Sequence, residues 1–161
     1  MPEAISNTSP LLYLHRIDAL EWLPRLFQEV WPPPAVVGEL QEGRHRGYDV
    51  PDIGKCRWLQ IVEPHAVSNK WIALDLGRGE LEAMSLALDN PSRIVLLDDG
   101  LARRAAQAAG LRVWGTLKIM LEAKACGVIT AVEPWVELLA DAGLWFSDDI
   151  RNRILTLAGE A

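Results

Sequence analysis

Apolar residues along this chain fall into short runs and helical stripes rather than long spans. Ala4-Ile5-Ser6 is a brief apolar start that gives way to Asn7-Thr8-Ser9-Pro10. This pattern predicts a strand followed by a helix, with Ser9 at the N-cap and Pro10 in the first helical position. Leu11, Leu12 and Leu14 supply the apolar side. Leu20, Leu23 and Leu26 predict a second short helix over Asp18 to Phe27, which Pro24 limits. Glu29-Val30-Trp31 is a strand candidate broken by Pro32-Pro33-Pro34, after which a helix runs through Ala35 to Leu40. Gly43 to Asp52 is polar and reads as a loop. Trp58 to Val62 alternates as a strand would, and Gly77-Arg78-Gly79 opens a strong helix through Leu88.

The clearest signal is Ile94-Val95-Leu96-Leu97, a run apolar on both faces. Such a strand belongs in the middle of a parallel sheet covered on both sides. Asp98-Asp99-Gly100 follows, then an alanine-rich helix to about Ala109 with Gly110 as its stop. Arg112-Val113-Trp114 is the next strand, and Gly115-Thr116 opens another helix. Two more helices are expected near Pro134 to Ala142 and Ser147 to Leu157, the latter capped by Ser147 with Asp148 and Asp149 suiting the helix dipole. Strands alternating with helices give an α/β fold with a mainly parallel sheet. The 161 residues suit a single domain over 1–161.

Composition narrows the classes. The chain is half apolar, enough for a core that needs no disulfide. Cys56 and Cys126 form no CxxC pair and read as reduced thiols. His15, His45 and His65 have no zinc-ligand spacing. No apolar run is long enough for a membrane helix, and the N-terminus lacks signal-peptide character, so a cytoplasmic location is expected. The net charge of −6 argues against binding nucleic acid by bulk charge alone. It leaves open a site where carboxylates hold cations that reverse the local charge. The seven tryptophans read mainly as core and interface packing.

In parallel sheets, ligands bind beyond the carboxyl ends of the strands. Asn7 follows the first strand, and Asp98 and Asp99 follow the strongest one. Glu39 and Glu80 sit on helices within apolar sequence. Converging oxygens of this kind suit Mg²⁺ or Mn²⁺. Glu80 and Glu82 lie roughly 200° apart around their helix, so only one can face a given site. Glu80 shares its side with Ala83, Met84 and Ala87 and is the inward choice; Glu82 reads as solvated. A helix cap needs only one of Asp98 and Asp99, which leaves the pair itself unexplained by capping.

Taken in order, Ser6-Asn7-Thr8-Ser9-Pro10-Leu11-Leu12, Pro34-Ala35-Val36-Val37-Gly38-Glu39-Leu40, Leu76-Gly77-Arg78-Gly79-Glu80-Leu81-Glu82-Ala83 and Leu96-Leu97-Asp98-Asp99 resemble the PIN domain family. More narrowly they resemble a prokaryotic branch related to VapC-type toxins. Gly110 to Leu117 and the helix through Ala123 to Gly127 fit that branch too. The resemblance spans roughly Ala4 to Leu157 and implies a three-layer α/β/α domain. It implies a metal-dependent endoribonuclease with single-stranded RNA as substrate, acting as the toxin of a toxin–antitoxin pair. The metal would be Mg²⁺ or Mn²⁺, held by Asn7, Glu39, Glu80, Asp98 and Asp99, with the four acids catalytic. Thr8 and Ser9 match hydroxyl residues that position the first ligand. The family pattern has Asp where this chain has Asn7, so a weakened or inactive module that binds RNA or a protein partner is the alternative. A homodimer and a cognate antitoxin are the implied partners.

Three basic residues are candidate phosphate contacts. Arg103 and Arg104 begin just past the acidic pair, where a solvated helix face is the competing reading. Lys118 lies inside the helix opened by Gly115-Thr116. Arg44-His45-Arg46 reads as a solvated loop, with contact to substrate the competing reading.

Overall fold

The computed structural model describes all 161 residues. Four parallel strands, β1 (Ala4–Ser6), β2 (Val30–Trp31), β3 (Ile94–Leu96) and β4 (Arg112–Trp114), form one sheet in the order β2-β1-β3-β4. Eight helices surround it: α1 (Thr8–Arg16), α2 (Trp22–Leu26), α3 (Pro34–His45), α4 (Arg78–Asp89), α5 (Gly100–Ala108), α6 (Thr116–Ala125), α7 (Glu133–Asp141) and α8 (Asp148–Leu157).

The period-two alternation of strand side chains divides the core in two. Ala4, Val30, Ile94 and Leu96 point to one face, where they join Leu11, Leu14, Leu23, Val36, Leu40, Ile119 and Val136 from α1, α2, α3, α6 and α7. Ile5, Val95 and Leu97 point to the other, where Met84, Ala87, Ala102 and Ala106 from α4 and α5 cover them. The result is an α/β/α sandwich with β1 and β3 buried on both faces, as the continuous apolar run at Ile94 predicts.

The chain leaves β1 and β3 toward opposite faces, into α1 on one side and α5 on the other. Neighbouring strands whose connections diverge open a crevice beyond their carboxyl ends. Asn7 stands at the end of β1 and Asp98 just past β3, so both border it; the Asn7 N–H donates to the Leu96 carbonyl at 3.1 Å.

Several local expectations give way. Asn7, not Ser9, occupies the N-cap of α1, and Pro10 lies two residues past Thr8, the first helical residue. Ser9 is drawn instead to an acid across the crevice, as described below. The second helix is only Trp22–Leu26, because Asp18 takes a left-handed conformation (φ 60°) that ends the preceding turn. Helix α3 continues through Gly43 to His45 rather than breaking into a loop. Trp58 to Val62 runs beside β2 but pairs as a single bridge at Leu59, with the Gln60 and Val62 N–H groups donating to Val30 and Pro32. The prolines after Trp31 have no N–H to return, so no ladder forms. Glu82 is not solvated. It is 8% exposed, accepts from the Ala35 N–H at 3.0 Å and pairs with Arg78 at 2.8 Å, which ties α4 to the start of α3.

Candidate functional site

Five segments meet at the crevice. From β3, Asp98 turns back over the sheet end and is saturated with donors. The Thr116 N–H reaches its Oδ1 at 2.7 Å, and the Thr116 and Ser9 hydroxyls donate to Oδ2 at 2.7 and 2.9 Å. Its orientation is therefore fixed by the starts of α1 and α6 together. Asp99 does the simpler task, capping α5 by accepting from Ala102 N–H at 3.0 Å. The two adjacent acids thus divide the work, as a cap that needs only one of them implies.

On α3, Val36 and Leu40 face the core, which turns Glu39 toward α1 and α4. Its carboxylate accepts from the Gly79 N–H at 3.0 Å and from the Thr8 hydroxyl. Gly79 is glycine for a visible reason. A Cβ there would lie 2.8 Å from both Glu39 carboxylate oxygens and 3.0 Å from Asn7 Oδ1. Glu80, in the first turn of α4, reaches back to accept from Gly77 N–H at 3.0 Å.

Two oxygens of this cluster are shielded from water and bonded to nothing: Asn7 Oδ1 and Glu80 Oε2. Asn7 is 7% exposed and makes no side-chain capping bond, so the turn-ordering role common for asparagine is not what it does here. Burial pushes the Glu80 carboxyl above its usual range, and the negative charges of Asp99, Glu39 and Asp75 add to that, against the lowering effect of the Gly77 N–H. A buried oxygen with no donor costs free energy unless a proton or a cation meets it. Every group here is a hard oxygen, the donor type that Mg²⁺ and Mn²⁺ take. No three acidic, histidine or cysteine side chains converge closely enough in this arrangement to enclose an ion.

The positive side is uneven. Arg103 is half-buried, with a shielded, unpartnered Nε. It flanks Gly115 together with Asp98: a Cβ on that glycine would sit 3.5 Å from Arg103 Nη1 and 3.3 Å from Asp98 Oδ1. Arg104 folds against Gly100. Lys118 donates to Glu122 along its own helix at 2.7 Å and lies 5.6 Å over the Trp114 ring.

A family model described as a PIN domain matches residues 3–160. The chain belongs to the PIN domain family. PIN domains are nuclease-type folds, and this one carries its acids where an open parallel sheet presents ligands. No relative is found among curated proteins. No helix of this PIN domain is long and apolar enough to cross a membrane.

Sequence reasoning passed over two residues that the geometry brings to the centre. Thr116, fully buried, gives Asp98 two of its three donors. Gly79 supplies both the N–H and the space that seat Glu39. Gly115-Thr116 at a strand-to-helix turn was the available signal for the first; nothing in the sequence alone pairs Gly79 with a residue 40 positions away. A larger cavity of about 850 Å³, lined in part by Leu40, Arg44, Cys56 and Ile61, lies away from the acids. Burial, then the Glu21 and Asp52 charges, push the Cys56 thiol up, so it is no ready nucleophile.

Proposed function

We propose that this PIN domain is a metal-dependent endoribonuclease that cuts single-stranded RNA, and that it serves as the toxin of a toxin–antitoxin pair. The observation that carries the reading is the pair of buried, unpartnered oxygens, Asn7 Oδ1 and Glu80 Oε2, beside Glu39, Asp98 and Asp99. Asn7, Glu39, Glu80, Asp98 and Asp99 would hold Mg²⁺ or Mn²⁺. When bound, such a cation lowers the pKa of a water and offsets charge on the attacked phosphate.

The protein's own groups supply the rest. Thr116 and Ser9 orient the Asp98 carboxylate, and Thr8 with Gly79 orients Glu39, which limits the freedom either acid has to lose on meeting a cation. Glu80 keeps one shielded oxygen without a partner. The half-buried Arg103 guanidinium, short of an acceptor at Nε, suits a phosphate oxygen.

Asn7 favours a second reading, a module that binds RNA or a protein without cutting. An amide oxygen coordinates Mg²⁺ but brings no formal charge. The deciding experiment is Mn²⁺ titration with an RNA cleavage assay on three variants. Asn7→Asp is expected to bind Mn²⁺ more tightly and cut faster, while Glu80→Ala and Asp98→Ala abolish cleavage. If Asn7→Asp changes neither property, the second reading gains. The cognate antitoxin is tested by co-purification with the product of the neighbouring gene. Self-association as a homodimer is tested by light scattering; the exposed Leu138, Trp145 and Ile150 around α7 and α8 are apolar surface such a pair would cover.

A further inference from the structure

A cleft of about 600 Å³ starts at the acidic cluster and continues away from it between α1, α3 and the first residue of α4. Thr8 and Glu39 line it where it meets the cluster. Beyond them, Thr8, Leu12 and Arg16 line it from α1, spaced four apart. Residues at that spacing form a row along one helix face, here about 12 Å long at about 1.5 Å per residue. The floor is low because α3 contributes Gly38, where a Cβ would meet nothing within 4 Å.

Arg16, Arg46 and Arg78 stand around this floor. Each is tethered by the same atom. Arg46 Nε donates to Glu42 at 3.0 Å, Arg78 Nε to Glu82 at 2.8 Å, and Arg16 Nε to the Asp49 carbonyl at 3.2 Å. The tethers orient the guanidinium groups yet leave their terminal nitrogens without protein acceptors. A fork of free N–H groups is the arrangement that grips phosphate oxygens. Tyr48, 60% exposed, also lines the cleft and offers an aromatic face to solvent. Two acids, Glu39 and Glu42, share the lining, and Arg46 already offsets the second.

We infer that this groove seats the single-stranded RNA flanking the cleaved bond, with Arg16, Arg46 and Arg78 on its phosphates and Tyr48 stacked on a base. The inference rests on the nuclease reading and extends it by giving the strand a path. A chain lying along the α1 row carries its backbone into the carboxylate cluster at Thr8 and Glu39. Arginine forks beside an exposed aromatic match single-stranded nucleic acid, where stacking and backbone contacts act together. An acidic peptide would use the arginines and leave Tyr48 without a role.

Binding can be measured without cleavage. The probe is a fluorescein-labelled oligouridylate of about twelve nucleotides, read by anisotropy against the full chain in metal-free buffer at several salt concentrations. Gly38→Glu puts a charge in the open floor from a Cβ that meets nothing within 4 Å, so the fold should be kept and RNA affinity is expected to fall tenfold or more. Arg16→Ala with Arg46→Ala is expected to flatten the plot of log K against log salt by about 1.4, at about 0.7 for each single-strand phosphate that no longer meets an arginine. Tyr48→Ala is expected to weaken binding about fivefold or more. All three should show the same circular dichroism and the same Mn²⁺-induced thermal shift as the natural protein, because the acids are untouched. Wild-type affinity in these variants overturns the groove. So does absence of RNA binding by the natural protein, or displacement of RNA by an oligoglutamate of equal length at equal or lower concentration. Variants that bind and cut RNA normally would sink the groove and leave the nuclease reading standing; loss of metal-dependent cutting in the natural protein would sink that reading instead.

Discussion

Replacing Glu80 by Gln should make the metal-free protein more stable and remove its response to metal. In the native chain Glu80 Oε1 accepts from Gly77 N–H, and Oε2 is shielded without a partner. An unsatisfied buried acceptor costs about 1–3 kcal/mol, more when charged. Glutamine can keep the Gly77 bond through its amide oxygen and put an NH₂ donor where the orphan oxygen was, among Glu39, Asp99 and Asp75, whose charges now push the Glu80 carboxyl up. Against this stands the loss of a negative charge in the first turn of α4, worth about 0.3–1 kcal/mol. The first effect is the larger, so a net gain of about 1 kcal/mol is expected. For a chain of this size that is a rise in Tm of about 2–4 °C.

The pH dependence carries a definite sign. A carboxyl whose folded pKa is raised binds its proton more readily in the native state, so stability falls as pH climbs from the ordinary range near about 4.3 through the raised value. The advantage of Glu80→Gln should therefore be absent in acid and full at neutral pH. Cation binding reverses the ranking. At a free Mn²⁺ concentration of about 100 times its Kd the natural protein should gain about 2.7 kcal/mol, whereas the variant should gain little. Differential scanning fluorimetry at pH 4 and pH 7.5, with EDTA or Mn²⁺, reads all four conditions. A variant that melts at or below the natural protein in EDTA at pH 7.5 refutes the argument that Glu80 is held at a cost.

Two further outcomes are expected. Gly79→Ala puts a methyl 2.8 Å from both Glu39 carboxylate oxygens and 3.0 Å from Asn7 Oδ1; the carboxylate must give up its Thr8 and Gly79 donors to move away, so stability should fall by about 1.5 kcal/mol or more, a drop in Tm of about 3 °C or more, while Mn²⁺ affinity and RNA cleavage fall tenfold or more, read by titration and gel assay. Glu160, bonded to Lys124 and to the Val132 and Glu133 N–H groups, has its carboxyl held down at about 2, so Glu160→Gln should lower stability by on the order of 1 kcal/mol at pH 7, a difference that denaturant melts should show shrinking as pH falls from about 4.3 toward 2.

How much of this was readable beforehand depends on whether a feature is local. The strand at Ile94, the stop at Gly110 (φ 82°), the Ser147 cap and the helices α4 to α8 follow from period, turn chemistry and short-range bonds, and the structure has them. The misreadings of Ser9 and Glu82 were settled by distant partners. Ser9 looks like a cap until Asp98, 89 residues away, claims its hydroxyl. Glu82 looks solvated until the Ala35 N–H, 47 residues away, needs an acceptor. Helical wheel geometry does separate Glu80 from Glu82, but it cannot say that the second is also buried, because α4 packs against α3 along one side and the sheet along another. Strand ends and helix faces are local properties, so the placing of Asp98 after β3 and of Glu39 on α3 was legible; Thr8 and Ser9 were singled out as hydroxyl residues serving Asn7, whereas they donate to Glu39 and Asp98, and Gly79 and Thr116 gave no such signal.

The same distinction explains why the cluster tolerates its own strain. Asp98 and Glu39 are each fixed by donors from two other elements, and those elements are anchored in opposite halves of the core, α1 and α6 on one face of the sheet and α4 on the other. Moving either acid to relieve repulsion would mean breaking charge-assisted bonds worth about 1.5–3 kcal/mol each. Glu80 and Asn7 have no such set of donors, so the unfavourable charge and the missing partners collect on them. An aspartate at position 7 would add a further buried negative group with no donor beside it. In the absence of a cation the amide is the less costly residue there, so Asn7→Asp should lower the Tm of the metal-free protein even as it strengthens Mn²⁺ binding. Thermal melts of that one variant in EDTA and in Mn²⁺ should thus move in opposite directions relative to the natural chain. A shift of the same sign in both buffers would mean that residue 7 does not sense the charge of the cluster.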